Sequence, residues 1–221
     1  MSLFRVDPEN PFSGPHQQQE IITAGTEIEE AKLAMILIHG RGATPQSMLP
    51  LAREFKRNDI HFRALQAKRH TWYPRSFLAP KEMNQPGISS GLQAIHDQIN
   101  ELNEAGIPTN TIVLLGFSQG ACLATEFAAR HPQRYGGVVG LSGGLIGESI
   151  DPANYSGSLQ QTPIFLGCSD RDPHIPQERV DQTENVFLQL EADVNKQIYK
   201  GMGHTVNQDE IAHVNIILNN I

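Results

Sequence analysis

T-I-V-L-L-G-F-S-Q-G-A-C-L-A-T-E-F-A-A-R-H-P, Thr111 to Pro132, is the stretch that decides the fold. Ile112 to Leu115 form a short run of aliphatic and β-branched residues, which reads as a buried strand. Gly116-Phe117-Ser118-Gln119-Gly120 follows directly. Leu123, Phe127 and several alanines then make a helical pattern that stops before Pro132. Strand, G-x-S-x-G and helix in that order are the context of a nucleophile elbow. A serine on so sharp a turn has backbone passing close on both sides. Gly116 and Gly120 remove the Cβ atoms that would collide there. The turn lifts the Ser118 hydroxyl above the sheet edge and aims the first helical amides at the same point.

Outward from this stretch the pattern repeats. Upstream, Ala34 to Ile38 is a strong strand running into His39-Gly40-Arg41-Gly42-Ala43, a glycine-marked turn. Leu49, Ala52 and Phe55 follow at helical spacing. Phe62 to Leu65 reads as a weaker strand, and Glu20 to Thr23 as an edge strand within an irregular N-terminal segment, residues 1–25. Ile88, Leu92, Ile95, Ile99 and Leu102 form a helical stripe, ended by Gly106 and Pro108. Downstream, strands are expected at Gly136 to Leu141, Thr162 to Cys168 and Lys196 to Tyr199. Helices are expected around Val180 to Leu190 and Ile211 to Ile221. Strands alternating with helices imply a single α/β domain over residues 1–221, with a mainly parallel sheet covered on both faces. Ligands of such sheets bind beyond the carboxyl ends of the strands.

Composition narrows the partners. Asp and Glu outnumber Lys and Arg by 24 to 17 in 221 residues, so a basic footprint for nucleic acid is missing. No apolar run reaches membrane-spanning length, and no basic segment followed by an apolar one opens the chain, so a cytoplasmic place is expected. The two cysteines, Cys122 and Cys168, give no disulfide framework and read as buried thiols. With no C-x-x-C, a redox role ranks low. No H-E-x-x-H or similar spacing suggests a metal, and no cofactor is expected.

The polar candidates each follow an expected strand. Ser118 needs a base to become a nucleophile, and His204, in G-M-G-H-T-V, is the choice. A carboxylate must hold the imidazole's tautomer. Asp172 is chosen and Asp170 is its rival; the Asp172-Pro173 junction favours turn geometry at Asp172. The oxyanion of an acyl-transfer intermediate needs donors, and the backbone amides of Arg41 and Gln119 are placed for it. The Arg41 side chain is expected to face solvent, contact with an acidic substrate group being its alternative. His39 is expected to brace its loop. His16, His61, His70, His96, His131 and His213 are expected at the surface or boundary.

Residues 66–83 form a long connection bearing the only tryptophan, and long loops in compact domains are often functional. Trp72, Tyr73, Gly42 and His174 are therefore the candidate substrate contacts. The Gly143-to-Asp151 loop is the expected opposite wall. An apolar strip near Trp72 could equally serve as a homodimer face.

I-L-I-H-G-R-G, G-F-S-Q-G-A, D-R-D-P-H-I-P and G-M-G-H-T-V together resemble the phospholipase/carboxylesterase family of α/β-hydrolases, which includes bacterial carboxylesterases and acyl-protein thioesterases. The resemblance runs from Ala34 to the C terminus. It implies an α/β-hydrolase fold, Ser118, Asp172 and His204 as a triad, and Arg41 and Gln119 as the oxyanion hole. It also favours Asp172 over Asp170, since the family's acid directly precedes the proline. The order Ser, Asp, His is that of the fold. Acyl-protein thioesterases usually carry H-G-L-G-D where this chain has H-G-R-G-A, and they lack W-Y-P-R-S-F. The strand ending at Leu141 lies too close to the next for a cap domain. The resulting expectation is a serine hydrolase with an open site, cleaving small-molecule carboxylic esters of short or medium acyl length. Lysophospholipase or acyl-thioesterase activity is the near alternative. A non-catalytic small-molecule-binding homologue is the alternative of another class.

Overall fold

Leu33–Ile38 is buried at every position, the pattern of a strand covered on both faces. Its alternate residues divide between two cores. Ala34, Ile36 and Ile38 pack on one side, and Leu33, Met35 and Leu37 on the other, as a period of two requires. The computed structural model describes residues 11–221. The expected irregular segment at 1–25 therefore lies partly outside the described residues.

The strands are β1 (Ile21–Gly25), β2 (Leu33–Ile38), β3 (Ile60–Leu65), β4 (Ile112–Phe117), β5 (Gly137–Leu141), β6 (Pro163–Ser169) and β7 (Asp193–Tyr199). They form one seven-stranded sheet in the order β1-β3-β2-β4-β5-β6-β7. Among the described residues only the β1 pairing to β3 is antiparallel; the remaining pairs are parallel. The helices are α1 (Leu49–Ala52), α2 (Gly87–Glu104), α3 (Gln119–Arg130), α4 (Gln177–Gln189) and α5 (Gln208–Asn219). The apolar stripes of α2, α3 and α4 cover one face of the sheet. Ile211, Val214, Ile217 and Leu218 of α5 cover the other, with Met48 and Phe55 from the segment around α1.

The elements match the sequence reading in kind and order and differ in extent: β1 and β3 are displaced or lengthened by one or two residues, and two differences are larger. β7 begins three residues before Lys196, because it pairs with β6 along its whole length. The helix expected through Phe55 stops at Ala52. Between β5 and β6 only a 3-10 turn at Pro152–Asn154 intervenes, so the chain carries no cap there. No described helix is long and apolar enough to cross a membrane.

Two histidines expected near the surface are instead built into the interior. His61 is buried on β3, with Nδ1 beside the Thr26 carbonyl. His16 is buried too, and its Nε2 donates to the Trp72 carbonyl at 2.7 Å while Nδ1 accepts from the Lys68 amide. Burial holds the His16 ring below its ordinary pKa, against the carbonyl bond that favours the cation. A neutral ring with one donor and one acceptor suits both partners. The segment before β1 is thus pinned beneath the Trp72 loop.

Candidate active site

Ser118 sits between β4 and α3 at φ 55° and ψ −118°. A non-glycine residue in this region costs about 1–3 kcal/mol and persists only where the surroundings fix it. Here they do. Its amide donates to the Leu141 carbonyl and its carbonyl accepts from the Cys122 amide. A Cβ on Gly116 would run into the Gly120 carbonyl, and one on Gly120 into the Ile38 carbonyl. The elbow exists because both positions are glycine.

Three loops at the carboxyl edge of the sheet bring the expected polar residues together. His204, after β7, places Nε2 2.8 Å from Ser118 Oγ. Its Nδ1 lies 2.7 Å from Asp172 Oδ2, after β6. With Nδ1 donating to the carboxylate, Nε2 is left to accept from the serine hydroxyl. The Asp172 side chain is fully shielded from solvent. Its Oδ1 accepts from the His174 amide at 2.8 Å and the Ile175 amide at 3.1 Å. Burial alone would raise this carboxyl's pKa, but the bonds from His204 and the two amides outweigh it and hold the group below the usual range. Asp170 points elsewhere: its Oδ1 accepts from the Gly201 amide at 2.7 Å. Ser169 Oγ accepts from the Gly203 amide. These two bonds fasten the β7 loop to the β6 loop and fix the distance from acid to imidazole. The His204 ring is flanked by Phe117 and His174, with centroids at 5.0 and 4.8 Å.

The start of α5 supports the same loop. Asn207 accepts from the Glu210 amide, and Glu210 Oε2 accepts from the Asn207 amide, a capping box directly after His204. Glu210 is fully buried, and its Oε1 has no partner among the described residues. Burial pushes this carboxyl up to about 7, against the Asn207 amide and with the Asp209 charge adding to the rise. An unfolded glutamate ionises near 4.3, so between there and about 7 the folded protein keeps a proton that the unfolded chain has lost. Stability is therefore full below this window and falls as pH rises through it, by roughly 3.5 kcal/mol at most. Glu210→Gln is expected to flatten that slope when urea unfolding is compared at pH 5 and pH 8. An unchanged slope would contradict the assignment.

A cleft of about 500 Å³ opens over Ser118 and His204, with Tyr73, Arg75, Phe77 and Ile175 among its walls. Tyr73 and His174 thus line it as expected. Trp72 and Gly42 do not. Trp72 is fully buried, its indole donating to the His39 carbonyl at 2.8 Å, so it holds the β2 loop from beneath. Trp72 itself therefore adds nothing to an exposed apolar strip. Gly42 turns the loop at φ 76° and donates to the His70 carbonyl. Residues 143–151 do not line the cleft either. Leu145 and Ile146 are buried, and Gly147 donates to the Phe77 carbonyl, so this loop buttresses the wall without forming it. His39 braces its loop as expected: Nδ1 donates to the Gly40 carbonyl and Nε2 accepts from the Ala67 amide.

The Arg41 side chain is exposed, as expected, but it is also tied down. Its guanidinium donates to the carbonyls of Tyr73, Pro74 and Arg75 at 2.9, 3.0 and 2.6 Å. From below, the Gln119 side chain accepts from the Trp72 amide and donates to the Tyr73 carbonyl, both at 2.8 Å. Residues 72–75 are thereby tied both to the loop after β2 and to the start of α3. No amino-acid pattern announces this clamp, since the acceptors are backbone carbonyls. Its one trace is a polar Gln opening a first turn whose next residues, Gly120 to Ala124, carry no polar side chain but a thiol. The Arg41 and Gln119 backbone amides have no internal acceptor among the described residues. Cys122 and Cys168 are buried, and burial pushes their thiols up to about 11 and about 12, which leaves them protonated and poor in redox chemistry.

The phospholipase/carboxylesterase family model matches residues 17–221. Acyl-protein thioesterase 1 of Saccharomyces cerevisiae is 26% identical over 212 residues, covering 86% of this chain and 93% of the yeast protein. The crystal structure of a phospholipase/carboxylesterase from Dyadobacter fermentans superposes with a TM-score of 0.89 at 39% identity, over 93% of this chain and 99% of that one. A Bacillus cereus carboxylesterase shares the fold at 16% identity, with a TM-score of 0.75 over 92% of this chain and 95% of that one. With its sheet order, its elbow and this match over nearly the whole length, the chain belongs to the phospholipase/carboxylesterase family of α/β-hydrolases.

Proposed function

We propose that this hydrolase cleaves carboxylic esters of short or medium acyl length through an acyl-enzyme on Ser118. The observation that carries the reading is the hydrogen-bonded chain from Ser118 Oγ through His204 to Asp172. The Ser118 hydroxyl gives its proton to His204 Nε2 as Oγ attacks the ester carbonyl carbon. The buried Asp172 carboxylate stabilises the imidazolium that forms. Negative charge gathers on the carbonyl oxygen, where the amides of Gln119 and Arg41 act as donors. His204 then protonates the departing alcohol. In the second half a water gives a proton to His204 as its oxygen attacks the acyl carbon; the bond from that carbon to Ser118 Oγ then breaks, His204 returns the proton to Oγ, and the acid leaves. The Arg41 and Gln119 side chains are positioning groups in this scheme, because they hold the loops that present those amides.

The open cleft supports the chain-length part of the proposal. Among the described residues the large exposed apolar side chains are Phe12, Ile21, Met83, Leu188 and Ile216, and none of them lines the cleft. Tyr73, Phe77, Phe117 and Ile175 give a short acyl chain apolar walls inside the cleft, but no exposed apolar side chain among the described residues carries that surface further, and each methylene left in water forgoes about 0.8 kcal/mol. Hydrolysis of p-nitrophenyl esters from acetyl to palmitoyl is expected to peak at eight carbons or fewer. A kcat/KM that keeps rising to palmitoyl would overturn the short-chain part. Thioesters are the second reading: the same steps serve a sulfur leaving group, and the yeast relative is an acyl-protein thioesterase.

A further inference from the structure

We infer that the preferred substrate carries a free carboxylate, received by the Arg75 guanidinium at the rim of the cleft. The inference rests on the reading of Ser118 as nucleophile and names the class of ester that reaches it.

The charges around the cleft are one-sided. Its charged walls are Arg41 and Arg75, with His174 and His204 beside them, and among the described residues no Asp or Glu lines it. Asp172 is shielded behind His204. This runs against the protein as a whole, whose formal charge is −7. A cleft lined by one sign of charge raises the local concentration of the opposite sign.

The two arginines differ in what they have left to offer. Arg41 already gives its terminal nitrogens to three backbone carbonyls. Arg75 is exposed, and no carboxylate forms an ion pair with it among the described residues. Its backbone is nevertheless fixed: the amide donates to Asn84 Oδ1 at 2.8 Å and the carbonyl accepts from Arg41. A free guanidinium on a clamped backbone loses less freedom on binding than one on a loose loop. Its planar fork matches a carboxylate, and a single free arginine suits a monoanion.

The test pairs anionic and neutral esters with the same reacting group. On the acyl side, mono-p-nitrophenyl adipate is compared with p-nitrophenyl hexanoate. On the alcohol side, 4-acetoxybenzoate is compared with its methyl ester. The readout is the anionic-to-neutral ratio of kcat/KM. We expect a ratio of roughly ten in at least one pair, the worth of one charge-assisted hydrogen bond in a partly open site. Arg75→Gln should bring that ratio towards one, Arg75→Lys should keep part of it, and 0.5 M salt should lower it. Ratios near one in both pairs, or a preference that survives Arg75→Gln, would overturn the inference. Neither result touches the Ser118 reading, which fails only if no ester of either kind is turned over in a serine-dependent way.

Discussion

Ser118→Ala is expected to lower kcat for p-nitrophenyl acetate by about 10⁵–10⁶ while leaving the fold intact. In transition-state terms this is about 7–8 kcal/mol. No neighbouring group can replace the lost nucleophile: Cys122 lines the cleft, but burial holds its thiol at about 11, far from the thiolate needed for attack. Alanine keeps the Cβ, so the backbone strain at φ 55° is unchanged. The hydroxyl's bond to His204 is half-exposed, so its loss should cost stability no more than about 1 kcal/mol. His204→Ala should reduce kcat almost as far, and the double variant little further, because residues that act as one unit are not additive. Near-normal turnover by Ser118→Ala would refute the serine mechanism. A fluorophosphonate that labels the wild type and spares Ser118→Ala would separate an enzyme from an inert binding homologue.

The elbow and the strand ends were legible because their signals are local. A buried strand, two glycines with no room for Cβ and a helix start fall within ten residues around Ser118, and each has its own steric reason. The placement of His204 and Asp172 after strands was legible for the same cause, since a parallel sheet gathers such loops at one edge. The choice between Asp170 and Asp172 was not local. It depends on which carboxylate reaches the amide of Gly201 and which reaches the imidazole, and two residues of one turn look alike in sequence. Trp72 misled for a related reason. A tryptophan in a long loop can line a site or fill a core, and the difference is made by the distant His39 carbonyl that receives its indole N–H. The Arg41 clamp and the burial of His16 rest on backbone acceptors far along the chain, which no residue pattern records.

Asp172→Asn is expected to lower kcat/KM by about 10⁴ through the imidazole's tautomer, with little change in geometry. The side-chain oxygen of asparagine can still accept from the amides of His174 and Ile175, as Oδ1 does now, so the turn should persist. The amide NH₂ then faces His204 Nδ1, where a carboxylate oxygen stood at 2.7 Å. A donor there forces Nδ1 to accept, which puts the ring proton on Nε2, facing Ser118. The ring can then no longer take the serine's proton, and the imidazolium has lost its counter-charge. The substitution should also change how stability depends on acid. Because the folded Asp172 carboxyl sits below its ordinary range, it adds stability above the pKa of an unfolded aspartate, near 3.9, and that contribution is lost as pH falls through the folded value. The variant should therefore lose less stability than the wild type between pH 5 and pH 3, read from thermal unfolding midpoints. Asp170→Asn is the control, since its partner is the Gly201 amide and not the imidazole. If Asp170→Asn proved the more damaging to kcat/KM at unchanged stability, the acid of the site would have to be reassigned.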